Sequence, residues 1–275
     1  MVRIALFQST TGIDPAANSE RLVGAIGEAA SGGASMLFTP EMSGLLDRNS
    51  ERAAGNVRIE EEDAVLAACR DAAHSKGIWV HIGSLAVLTE GGQLANRAFI
   101  IAPNGEIRAR YDKIHLFDVD LPTGESWRES NVYKRGSDAV VVTGTPVGTL
   151  GLTICYDLRF PALFARLAEA GSDVIAVPAA FTVPTGKAHW EVLLRARAIE
   201  AGLFVVAAAQ SGHHEDGRNT YGHSLVVDPW GDLLLDMADG SGLGFAEIDL
   251  SHITDVRSRV PALSHRRPVG EAVPQ

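Results

Sequence analysis

Apolar runs of strand length alternate through most of this chain with segments whose apolar residues recur at helical spacing, and that alternation restricts the fold more than any composition figure does. Strands separated by helices pair in parallel and carry the helices on their faces, so the expected class is α/β. Strand character falls at residues 2–8, 36–39, 78–88, 95–102, 107–111, 140–142, 147–153, 173–177, 203–209 and 244–250. Asp228-Pro229-Trp230-Gly231 makes a turn between two further strands within 225–235, and Pro103-Asn104-Gly105 makes a hairpin turn that requires antiparallel pairing.

Helical spacing predicts four main helices. The first has Asn18 as its N-cap, buries Leu22, Val23, Ile26, Ala29 and Ala30, and stops at Gly32-Gly33. The second follows the acidic run 60–63, which suits a helix N-terminus, and carries Val65, Leu66, Cys69, Ala72 and Ala73 until Gly77. Pro161 opens the third, with Leu163, Phe164, Leu167 and Ala168 inward. The fourth spans 187–201, with Trp190, Leu193, Leu194, Ala198 and Ile199 on one side. Residues 118–137 lose all period and read as a long ordered loop, a length that in a compact domain tends to serve function.

A weak internal echo links Gly32-Gly33-Ala34-Ser35 followed by Met36 to Pro40 with Gly171-Ser172-Asp173 followed by Val174 to Pro178. Two related βαβ halves about a pseudo-twofold axis would produce it. At 275 residues the expectation is a single domain over 1–263, with a tail, 264–275, that lacks a core pattern and wraps onto a partner subunit.

The net charge of −10 argues against nucleic acid, because phosphate-backbone binding needs clustered Lys and Arg. No apolar run approaches the roughly 18 residues of a membrane span, and the first strand lacks the features of a signal peptide, so no membrane partner is expected. A small anionic substrate remains compatible with a few local arginines. The two cysteines lack a secretory context, and a catalytic thiol must stay reduced, which points to the cytoplasm.

Chemistry concentrates where residues 150–157 form an apolar run that reads as a buried strand and delivers Cys155 to its carboxyl end. Cys69 belongs to a helix's apolar face and reads as core. A thiol of ordinary pKa near 8.5 needs an adjacent base or positive field to attack an amide. Glu41, closing the run Met36-Leu37-Phe38-Thr39-Pro40, is the candidate base, and Lys113 the candidate charge. The Tyr156 N–H, just past the nucleophile, is a candidate oxyanion donor. A buried lysine calls for a second carboxylate, and spacing leaves Glu125 and Glu129 both open. Arg159 is placed to meet a substrate carboxylate or to form a structural ion pair, and Phe181 and Thr182 are candidate pocket walls. His213, His214, Asp216 and His223 match no tight metal-ligand spacing and read as a polar loop.

Pro40-Glu41, Tyr111-Asp112-Lys113-Ile114-His115-Leu116-Phe117 and Cys155-Tyr156-Asp157-Leu158-Arg159-Phe160-Pro161 resemble, in order and interval, the three signature blocks of the carbon–nitrogen hydrolase (nitrilase) superfamily. The resemblance spans nearly the whole chain. It implies a Glu41, Lys113, Cys155 triad, places the family's additional glutamate at Glu129 through Trp127-Arg128-Glu129-Ser130, and leaves His115 to position a loop. It further implies a four-layer α-β-β-α sandwich, a homodimer or higher homo-oligomer, and no metal or organic cofactor. Within the superfamily the 186–200 segment, Val205 to Gln210 and Tyr221-Gly222-His223-Ser224 look most like amidases of deaminated glutathione, with ω-amidases of 2-oxoglutaramate-type amides as the neighbouring alternative. A catalytically idle protein of this fold, binding a partner, is the rival from another class.

Overall fold

The computed structural model describes residues 1–120, 124 and 126–272. In chain order the elements are β1 (Val2–Gln8), α1 (Pro15–Ser31), β2 (Met36–Phe38), α2 (Ser50–Ala54), α3 (Ala64–Lys76), β3 (Trp79–Leu88), β4 (Leu94–Ile101), β5 (Ile107–Asp112), β6 (Asp118–Asp120), β7 (Ser126–Arg128), β8 (Tyr133–Lys134), β9 (Val141–Thr145), β10 (Gly148–Leu152), α4 (Pro161–Glu169), β11 (Val174–Ala176), α5 (Val183–Ala201), β12 (Phe204–Ala207), β13 (Ser211–His213), β14 (Asn219–Tyr221), β15 (Leu225–Val227), β16 (Leu233–Asp236), β17 (Gly242–Ile248), α6 (Ser251–Arg259) and α7 (Ala262–His265).

Two large sheets stack face to face. The first runs β17-β1-β2-β3-β4-β5 and the second β16-β15-β12-β11-β10-β9. In the first, β1, β2 and β3 are parallel while β4 and β5 follow antiparallel. In the second, β10, β11 and β12 are parallel while β15 and β16 follow antiparallel. The same sequence of pairings in both sheets accounts for the internal echo, with β2 and β11 in corresponding places.

Alternation along the strands divides the core. Ala5, Leu37, Val80 and Phe99 face α1 and α3, whereas Ile4, Leu6, Met36, Phe38 and Ile100 face the second sheet. Leu163, Phe164 and Leu167 of α4 and Trp190, Leu194 and Ala198 of α5 cover that sheet's other side. The result is the expected α-β-β-α sandwich.

Several local expectations change. The N-cap of α1 is Asp14, whose side chain accepts from the Ala16 N–H, with Pro15 at the first helical position. Asn18 is instead buried, bridging Gly12 and Gly44 with its amide. Helix α5 begins four residues before Lys187, and Ile199 lies on its outer side at 52% exposure. The 118–137 stretch contains an antiparallel strand pair, with Asp118 paired to Arg128 and Val119 to Trp127. Leu263 of α7 packs against the core, and Arg266 donates to the Ala165 carbonyl at 3.2 Å. Among the described residues no helix is long and apolar enough to cross a membrane.

Candidate active site

Parallel strands present their carboxyl ends at one rim, where loops can project side chains into a common space. Glu41 lies three residues past β2, Lys113 one past β5, and Cys155 three past β10. All three line one cavity of about 370 Å³, together with Glu129, Tyr156, Phe181 and Thr182. Glu125 lies outside the described residues.

Cys155 occupies a constrained turn. Its φ of 50° is uncommon for a residue with a Cβ, and its N–H donates to the Pro178 carbonyl at 2.8 Å, tying β10 to the end of β11. The residues from Cys155 to Arg159 form a short 3₁₀ turn. Asp157, fully buried, clamps that turn: it accepts from the Ile154 N–H at 2.9 Å, the Tyr111 hydroxyl at 2.7 Å and the His115 N–H at 3.0 Å. The Cys155 turn and the segment after Lys113 are therefore held by one carboxylate. At the start of the turn the Tyr156 N–H has no intrahelical acceptor and is available to a ligand.

The ion cluster is dense. Lys113 Nζ donates to Glu41 Oε1 at 2.8 Å and to Glu129 Oε2 at 2.9 Å, with Glu129 Oε1 at 3.1 Å. Glu41 Oε2 accepts from the Ala180 N–H at 3.0 Å, and Glu129 Oε2 accepts from the Phe117 N–H at 2.7 Å. Lys113 and Glu41 are only 2% and 5% exposed, so these charges are stable only as a group.

Asn96, on β4, escaped sequence analysis. Its side-chain amide nitrogen donates to Glu41 Oε1 at 2.9 Å and to Glu129 Oε1 at 3.0 Å, and its backbone carbonyl accepts from the Lys113 backbone N–H at 3.0 Å. The available signal was the hairpin: extending its pairing one step beyond Arg97 and Asp112 sets Asn96 opposite Lys113. Gln210 was likewise unnoticed. Fully buried, it donates to the Glu41 carbonyl at 2.9 Å and accepts from the Thr11 N–H at 3.1 Å.

The strand beside Glu41 is shaped to receive it. The pairing of β3 with β4 shifts between Ile82 and Leu85, a bulge that turns Ser84 to accept the Met42 N–H at 2.9 Å. A Cβ on Gly83 would lie 2.1 Å from the Thr39 carbonyl oxygen and 2.5 Å from Pro178 Cβ. Only glycine lets the backbones of the two halves approach so closely.

Electrostatics assign protons to the cluster. Burial alone would raise the Glu41 carboxyl, but the Lys113 charge and hydrogen bonds from Lys113, Cys155 and Asn96 hold it below its ordinary value. Burial opposes the charge of Lys113 too, yet Glu129 and Glu41 keep it ionised far above neutrality. Burial, then the Glu41 charge, pushes the Cys155 thiol well above its ordinary value despite Lys113. The resting site is thus a protonated thiol beside an ionised carboxylate. The Cys69 thiol is also pushed up, to about 12, by burial and then by Asp63, and it sits in the core under α1 and α3, outside the cavity.

Arg159 stands outside the cavity wall. Its guanidinium lies 5.9 Å from the Tyr156 ring and 5.7 Å from the Phe181 ring, with Nη2 3.2 Å from His189 Nδ1. His115 stacks on Phe160 at 3.6 Å and meets Asp157, serving the clamp. The loop histidines have separate partners: His213 meets Asn219, His214 meets Thr11 and Thr220, and His223 meets Asp236.

Comparison with known proteins agrees with this geometry. Residues 3–258 match the carbon-nitrogen hydrolase family. A deaminated glutathione amidase of Yersinia enterocolitica is 39% identical over 246 residues, covering 88% of this chain and 85% of the relative. One from Mus musculus is 39% identical over 274 residues, covering 96% and 83% respectively. The crystal structure of the Caenorhabditis elegans NitFhit protein superposes with a TM-score of 0.89 at 38% identity, covering 97% of this chain and 65% of that one. This chain belongs to the carbon-nitrogen hydrolase family.

Proposed function

We propose that this protein is a cysteine amidase that hydrolyses deaminated glutathione to 2-oxoglutarate and cysteinylglycine through a thioester on Cys155. The observation that carries the reaction class is the cluster of Cys155, Glu41 and Lys113 on one cavity wall, with Glu129 and Asn96 holding the two charges in place. The relatives' activity supports the substrate.

The chemistry follows from the proton assignments. Glu41 accepts the Cys155 proton as sulfur bonds to the amide carbon, and the carbonyl oxygen becomes an oxyanion held by Lys113 Nζ and the Tyr156 N–H. Collapse breaks the carbon–nitrogen bond while Glu41 returns the proton to the departing amine. Glu41 then takes a proton from water as it attacks the thioester; collapse of the second tetrahedral intermediate releases the acid and restores the thiol. Lys113 already donates to Glu41 and to both oxygens of Glu129, so it stabilises the oxyanion chiefly through its charge. Tyr156, Phe181 and Thr182 form the wall around the acyl group. Arg159, lying on two of those side chains, adds positive potential there for an anionic substrate.

The thiol chemistry suits a reducing compartment, and we place the protein in the cytoplasm. Val192, Ile199 and Trp230, all more than half exposed, support a homo-oligomer. The deciding assay measures 2-oxoglutarate released from deaminated glutathione and from 2-oxoglutaramate. Preference for deaminated glutathione is expected; preference for the second would make it an ω-amidase. Cys155→Ala is expected to be inactive, and intact mass after mixing with substrate should show an acyl adduct on the wild-type protein. No adduct and no turnover would leave an idle binding protein.

A further inference from the structure

The charge balance of the site leaves an anionic substrate with a need that the reacting residues do not meet. Glu41 and Glu129 together outnumber Lys113, so the cavity floor repels carboxylates. Three arginines line the remaining wall: Arg48, Arg128 and Arg218. Arg128 Nη2 sits 2.8 Å from both oxygens of Asp120. Arg218 Nε donates to Asp216 at 2.7 Å. Arg48 has no ion pair among the described residues, and its guanidinium lies 5.8 Å from the centre of the Trp127 ring. Of the lining guanidiniums it is the one whose donors no described carboxylate occupies.

The loop that carries Arg48 is tightly anchored, which fixes where its exposed side chain leaves the backbone beside the cavity. The Arg48 N–H donates to Asp216 Oδ2 at 2.9 Å, and the Leu46 N–H donates to the Gly12 carbonyl at 3.1 Å. Asp47, its side chain fully buried, accepts from Arg52 Nη2 at 2.9 Å, and Asn49 caps α2. Arg218 stands over the same indole at 5.2 Å, so two guanidiniums lie against Trp127.

We propose that Arg48 is a specificity residue that receives the terminal carboxylate of a dipeptide leaving group. The inference rests on the amidase reading above. In deaminated glutathione that carboxylate ends two residues of chain beyond the scissile nitrogen, about 7 Å when extended, a reach that carries it clear of the Glu41 and Glu129 charges. A guanidinium with free donors meets a carboxylate through two parallel hydrogen bonds, a geometry that an amide of the same shape cannot reproduce. An ω-amide without a peptide leaving group makes no use of Arg48, so this residue separates the two substrate classes.

The test uses full-length protein carrying Cys155→Ala, with dissociation constants measured for deaminated glutathione and for its terminal carboxamide. The expected preference for the carboxylate is about tenfold, the scale of a partly solvated charge-assisted pair. Adding Arg48→Met, which keeps the stem against Trp127, should collapse that ratio to about one, and Arg48→Lys should retain part of it. A preference that survives Arg48→Met, equal affinity without that change, or binding of neither ligand overturns the assignment. Failure of the protein with Cys155 intact to release 2-oxoglutarate, alongside an intact carboxylate preference, would overturn the substrate reading and leave the assignment of Arg48 standing.

Discussion

Replacing Asn96 with alanine tests whether the bridging amide sets the base. The substitution removes two donors at once, one at 2.9 Å to Glu41 Oε1 and one at 3.0 Å to Glu129 Oε1. A hydrogen bond to a charged group contributes about 1.5–3 kcal/mol, and only the one to Glu41 acts on the group that moves the proton. At about 1.4 kcal/mol per factor of ten, the expected fall in kcat/KM is roughly 10- to 150-fold. A second readout follows from the sign of the pKa shift. Glu41 is held below its ordinary value, so it works as a base at neutral pH and loses activity as pH falls through its folded-state pKa. The Asn96 hydrogen bond is one of the interactions lowering it; without that bond the acidic limb of the kcat/KM profile should move to higher pH. Steady-state kinetics across the acid range, with circular dichroism to verify folding, measures both. Undiminished activity, or a loss with an unmoved acidic limb, would refute the role given to Asn96.

Lys113→Met should abolish turnover and destabilise the fold by about 3–5 kcal/mol, since it strands Glu41 and Glu129 as buried carboxylates. Denaturant midpoints should show that deficit shrinking as pH falls, because Glu41, stripped of the Lys113 charge that lowers its pKa, can then take a proton. Gly83→Ala pushes a Cβ to 2.1 Å from the Thr39 oxygen, and calorimetry should register a loss of about 1–3 kcal/mol or more with a parallel loss of activity through Glu41. Asp157→Asn leaves a single acceptor oxygen where two now serve the Ile154 and His115 N–H groups and the Tyr111 hydroxyl; unfolding should come about 1–3 kcal/mol earlier, and thiol alkylation at Cys155 should become faster as the turn loosens.

Where the chain's own periodicity controls structure, sequence reading was accurate. The Pro103-Asn104-Gly105 turn produced the β4–β5 hairpin, Gly77 closed α3 in the left-handed conformation, and Pro161 opened α4. Errors arose where distant contacts override local preference. Asn18 carries the side chain of a cap, but Asp14 with Pro15 supplies a better one, and Gly12 and Gly44 take up its amide. Residues 118–137 contain Asp, Ser and Gly and read as loop, yet a short antiparallel pairing forms there and leads into Glu129. The first turn of α5 contains Pro184 and Gly186, which look like breakers. Gly186 is needed there because a Cβ would fall 2.2 Å from Tyr221 Cγ.

The amino-acid order alone determined the alternating architecture and the weak echo between its halves, because both depend on spacing and residue type within a short window, and its three motif blocks singled out Glu41, Lys113 and Cys155 as candidates through their family resemblance. Tertiary structure decided what those residues are. Packing two sheets at their carboxyl rims removed water from three charges and a thiol, and the resulting balance of burial against ion pairing keeps the carboxylate ionised, the lysine charged and the sulfur protonated. It also recruited Asn96 and Gln210 and left Arg48 facing the cavity without a described carboxylate partner. Those outcomes depend on distances between segments far apart in the chain, which local sequence patterns do not encode.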